Sequence, residues 1–152
     1  MSDNIAIQII SEDDDIPEQD NILKWINAAI INDYQDHEIC VRIVDEAESQ
    51  ALNRQYRKKD KPTNVLSFPY HDELDDDILE GDIIICAPIV VKEAVTQNKS
   101  IVAHWAHLVV HGCLHLQGYD HEIPEDADIM EKHEIDILAK LGFNNPYQSL
   151  TE

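Results

Sequence analysis

The segment HGCLHLQGYDH, residues 111–121, constrains this chain more than any other, because its three histidines are spaced so that one ion can hold them together. His111 and His115 are four apart, so on a helix both rings leave the same face and can converge on a metal. Gly118 then permits a turn. Glycine reaches left-handed backbone angles without a Cβ clash, so the helix can stop there and Tyr119 and Asp120 can return His121 toward the same point. Three ligands leave one tetrahedral position open, as in catalytic rather than structural zinc, and water at such a position has a pKa of about 7. The stripe of histidines is longer than this motif. At about 100° per residue, His104, His107, His111 and His115 share one helix face, so His107 could replace His121 as third ligand. Gly118 favours His121 and leaves His104 and His107 as packing groups or as partners that orient the ligands. Cys113, about 200° around the helix from His111, is expected in the core.

The spacing H-x-x-x-H-x-x-G-x-x-H resembles that of the metzincin peptidases, with one part missing. In zincins the residue after the first histidine is the glutamate that acts as general base. Here it is Gly112. Peptide hydrolysis needs a base for the attacking water and an acid for the leaving amine, so this absence counts against a peptidase.

A length of 152 residues suggests a single domain over 1–152, and 43% hydrophobic content suffices for a core. The N-terminus lacks a basic leader region, and the longest apolar run, at 83–91, is too short to span a bilayer, so a cytoplasmic protein with no membrane partner is expected. Cys40, Cys86 and Cys113 are odd in number and widely spaced, which suits reduced thiols. Ile5, Ile7 and Ile9 alternate as in a strand, and Ile22, Trp25, Ile26, Ala29 and Ile30 follow helical spacing after Pro17. Residues 38–44, 64–70 and 82–87 read as further strands. Asp45 with Glu48 reads as a capping box for a helix to about Arg57. The acidic run at 72–77 reads as a solvated loop. Pro88 opens a short helix, Ser100 caps the histidine helix, and Pro124 starts a last helix that stops at Gly142. About four strands in one mixed sheet with about five helices predict an α+β domain, carrying a metzincin-like zinc-binding helix and turn.

A net charge of −20 argues at first against a polyanionic ligand. Its distribution argues otherwise. Arg54, Arg57, Lys58, Lys59 and Lys61 gather five of the eleven basic residues into one helix end and the loop after it. A domain of this length has a radius of gyration of about 15 Å, whereas the Debye length is about 8 Å at physiological salt. Acidic groups on the far side are therefore largely screened from an anion at this cluster. Arg54 and Arg57 also serve the helix dipole, a role that explains the three lysines less well.

Together, YRKKDKPTNVLSFPY at 56–70, EGDIIIC at 80–86 and HGCLHLQGYDH at 111–121 resemble the YbeY family of bacterial endoribonucleases, from about residue 50 to NPY at 145–147. The resemblance implies a zinc-dependent, single-strand-specific endoribonuclease with one zinc per chain. It would act in ribosomal RNA maturation, particularly at the small-subunit 3′ end, and in ribosome quality control. It places metal ligands at His111, His115 and His121 and a functionally important arginine at Arg57. Implied partners are single-stranded and ribosomal RNA, ribosomal particles, and contacts with ribosomal proteins or an assembly GTPase.

On this expectation Arg57 forks across phosphate oxygens and stabilises transition-state charge, while zinc supplies Lewis-acid chemistry. Attack by water and by the ribose 2′-hydroxyl both satisfy the arrangement. Arg54, Lys59 and Lys61 would bind the RNA backbone without reading sequence. Tyr56, Phe68 and Tyr70 are candidates for base stacking or for core, and Asp82 and Asp120 for carboxylates behind the ligands. Two rivals remain. One is a metzincin-like zinc hydrolase of peptides or small amides; the other is a non-enzymatic ribosome-assembly factor whose structural zinc takes His107 or Asp120 as fourth ligand.

Overall fold

A computed structural model describes residues 3–70 and 77–147. Along the chain run β1 (Asp3–Ile9), α1 (Gln19–Ala29), β2 (Asp36–Val44), α2 (Glu46–Arg57), β3 (Val65–Pro69), β4 (Ile78–Cys86), α3 (Ala87–Thr96), α4 (Ile101–Leu116) and α5 (Pro124–Lys140). The expected α+β class, with four strands and five helices, is what forms. The acidic run, apart from Asp77, lies outside the described residues.

The strand order, unreadable from the sequence, is β1-β2-β4-β3. β1 pairs parallel with β2 and β2 with β4, while β3 runs antiparallel to β4 and forms an edge. Period-2 alternation sorts the side chains. Ile39, Val41, Ile43, Ile83 and Ile85 enter the main core with Trp25 of α1 and Trp105 and Val109 of α4. On the other face Val44, Leu66 and Ile84 form a smaller cluster against Leu52 of α2 and Phe68. α4 is therefore buried along most of its length, consistent with its nearly continuous apolar sequence.

Several local expectations hold and one fails. Ser100 caps α4, its hydroxyl accepting from Ala103 N–H at 3.3 Å. Asp45 does precede α2, but the capping box does not form. Its carboxylate instead accepts from the Ser11 hydroxyl and from Glu12 N–H, and Glu48 pairs with Arg42 on the neighbouring strand. Tertiary partners outbid the local reciprocal bonds. Cys113 is fully buried in the core, as expected, and burial pushes its thiol up to about 12.

Candidate metal and phosphate site

α4 delivers His111 and His115 from adjacent turns of one face and then ends on a Schellman turn. Gly118 N–H donates to His115 O at 3.0 Å and Tyr119 N–H to Leu114 O at 3.1 Å. Gly118 has φ +97°, which any side chain would resist. The turn brings His121 back. The three rings meet with centroid separations of 4.6 Å (His111 and His115), 5.4 Å (His111 and His121) and 5.0 Å (His115 and His121). One nitrogen of each lies within 4.8 Å of the others.

The donor set fits a metal ion. Nε2 of His111 and Nε2 of His115 are 3.1 Å apart, close to the roughly 3.3 Å that two nitrogens keep around tetrahedral zinc. Burial and the neighbouring His111 and His121 push His115 down to about 4, so its ring is neutral, as a ligand must be, at neutral pH. Among the described residues no fourth protein donor joins the three histidines. Asp120 lines the same cleft, but one of its oxygens accepts from His121 N–H at 2.7 Å.

His107 lies beside the cluster and is engaged elsewhere. Its Nε2 lies 2.5 Å from an oxygen of Glu134, a residue of α5 that the motif reading did not reach. Glu134 also faces His111 Nδ1 at 3.4 Å and accepts from the Tyr147 hydroxyl at 2.8 Å. Burial alone would raise this carboxyl; hydrogen bonds and charge from His107 and His111 overcome it and hold it down at about 2. A signal for Glu134 did exist. It interrupts the apolar stripe Met130, Ile137, Leu138, and a charge on the inner face of a helix demands a buried partner. His104 completes a parallel arrangement, its Nε2 lying 2.9 Å from Glu93, which also accepts from the Asn64 amide at 3.1 Å.

Arg57 ends α2 and lines the same cleft of about 700 Å³ as the histidines, with Tyr56, Asn64 and the edge strand β3. Tyr56 and Phe68 meet edge to face at 4.9 Å on this wall. Arg54, Lys59 and Lys61 are exposed and lie outside the cleft lining, and Arg54 faces Asp60 at 3.8 Å. Two candidates belong elsewhere. Asp82 accepts from the Tyr70 hydroxyl at 2.5 Å and lines a separate groove with Cys40, because its neighbour Ile83 faces α4 and alternation turns Asp82 to the opposite side of the sheet.

The missing zincin glutamate also has a structural explanation. Position 112 faces the sheet, where a Cβ would come within 2.9 Å of Ile83 Cγ2 and 3.2 Å of Ser67 Oγ. Ser67 donates its hydroxyl to Gly112 O at 3.2 Å across this close approach. There is no room for a longer side chain at that point.

A helix-and-turn histidine cluster that shares a cleft with an arginine, on a four-stranded mixed sheet, is the setting in which the comparisons fall. The family model for endoribonuclease YbeY matches residues 6–142. The solution structure of TM1509 from Thermotoga maritima is similar, with 26% identity and a TM-score of 0.52 over 93% of this chain and 99% of that one. The chain belongs to the endoribonuclease YbeY family. No helix among the described residues is long and apolar enough to cross a membrane.

Proposed function

We propose that this protein is a zinc-dependent endoribonuclease that cuts single-stranded RNA in ribosomal RNA maturation, including the small-subunit 3′ end, and in ribosome quality control in the cytoplasm. Family membership supports the reaction class and the RNA substrate. The observation that carries the mechanism is that Arg57 and the three histidines line one cleft. His111, His115 and His121 would hold one zinc ion, which when bound supplies a Lewis acid for phosphodiester chemistry.

The chain's own residues do the rest. Arg57 presents a planar fork of donors that suits two phosphate oxygens, and it can stabilise charge as it builds on the scissile phosphate. Tyr56 offers an exposed ring at the cleft wall on which a base can stack, which favours unpaired strands. Arg54, Lys59 and Lys61, on the helix end and loop beyond Arg57, would extend the contact along the RNA backbone. Ribosomal particles, ribosomal proteins and an assembly GTPase are the partners this role implies.

Elemental analysis tests the site. About one zinc per chain is expected, and His115→Ala should lose most of it. Full retention in that variant would assign the ion to other residues.

A further inference from the structure

Glu134 is the most completely buried carboxylate near the site, 1% exposed on the inner face of α5. A buried charge persists only with partners, and its two oxygens divide them. Oε1 meets His107 Nε2 at 2.5 Å and the Tyr147 hydroxyl at 2.8 Å, while Oε2 faces His111 Nδ1 at 3.4 Å. An ionised carboxylate only accepts, so the ring nitrogens facing it carry the protons. For His111 that leaves the lone pair on Nε2, the atom turned toward His115.

We propose that Glu134 is a positioning residue of the metal site: anchored by His107 and Tyr147, it sets the tautomer and ring rotation of His111 so that Nε2 faces the ion. The proposal rests on the reading of His111, His115 and His121 as the zinc site. It accounts for His107, which the sequence offers as a ligand and the structure turns toward a carboxylate. The same atoms also resemble a second ion site, since His107, His111 and Glu134 cluster. The 2.5 Å contact argues against it. That is a hydrogen-bond length, well short of the roughly 3.3 Å between two donors on a tetrahedral ion.

The test is zinc affinity in Glu134→Gln, which keeps the shape and loses the charge, measured on metal-stripped protein by competition with a chromophoric chelator. Affinity about 10–100-fold below wild type is expected. Thermal unfolding of the metal-free proteins, measured alongside, separates a packing role, which would move unfolding and leave affinity alone. Unchanged affinity overturns the proposal, and so does a wild type holding two zinc ions of which the variant loses one. Wild-type protein that takes up no zinc overturns the zinc-site reading together with it. If the variant does not fold, long-range proton–nitrogen spectra of zinc-loaded wild type decide: His111 protonated at Nδ1 and coordinating through Nε2 supports the proposal, and the reverse overturns it.

Discussion

At the residue scale the site is a set of positions with separable duties. Arg57 is exposed at a helix end and contributes little to stability. Arg57→Ala is therefore predicted to keep zinc content and melting temperature while RNA cleavage falls by about 10²–10³-fold, the usual loss when one transition-state donor is removed. Cleavage at the wild-type rate would leave Arg57 a mere dipole cap. Gly112 has the opposite character. A methyl there meets the stiff Ile83 side chain at 2.9 Å, and the overpacking should outweigh the roughly 1 kcal/mol of helix propensity that alanine gains. Gly112→Ala is predicted to cost about 1–2 kcal/mol in urea denaturation; a stabilised variant would mean that the helix and sheet are not in such close contact. Cys113 supplies a pH dependence. Its thiol is raised from 9 to about 12 by burial, so the unfolded chain loses this proton first as pH rises. The stability it contributes is complete below about 9 and is lost progressively toward about 12. Thiol labelling at pH 8 should accordingly reach half-buried Cys40 before Cys113, which should react only on unfolding.

At the scale of elements, legibility followed how local the physics is. The turn after α4 was readable because Gly118, the histidine spacing and the end of the apolar pattern are all consequences of chain geometry within one segment. Ser100 and Pro124 marked helix starts for the same reason. The capping box at Asp45 was misread because Ser11, a residue 34 positions away, takes that carboxylate. Asp82 was a candidate that alternation along β4 turns away from the histidines, since Ile83 and Ile85 are the core-facing members. Glu134 went unseen because its partners lie 23 and 27 residues away on another helix, and only its place on an apolar stripe hinted at them. The strand order depends on pairings between distant segments and left no local trace. α2 closes on a strained residue, Lys58 at φ 61°. Lys58→Gly should relieve this and stabilise the fold by about 0.5–1 kcal/mol in denaturant unfolding; a destabilised variant would show that the lysine side chain contributes more than its backbone costs.

Across the whole molecule the open question was how a chain of net charge −20 meets RNA. Arg57 faces the cleft while Arg54, Lys59 and Lys61 lie on the adjoining helix end and loop, so the positive charge is concentrated at one side of the proposed site. If these four residues supply four phosphate contacts, single-strand affinity should fall with a log–log salt slope of about −3, from about −0.7 per contact. From about 50 to about 200 mM salt that is a loss of roughly 50-fold. Repulsion from the acidic surface acts in the other direction, because added salt screens it. Fluorescence anisotropy reads the sign: affinity that stays flat or rises with salt would remove the basic segment from the RNA path. The central claim, that the histidine cluster holds a zinc ion on which RNA cleavage depends, is tested most directly by cleavage of a single-stranded oligoribonucleotide before and after metal stripping. Activity should disappear with the zinc and return when about one equivalent is restored; full activity in protein verified to be free of metal would contradict it.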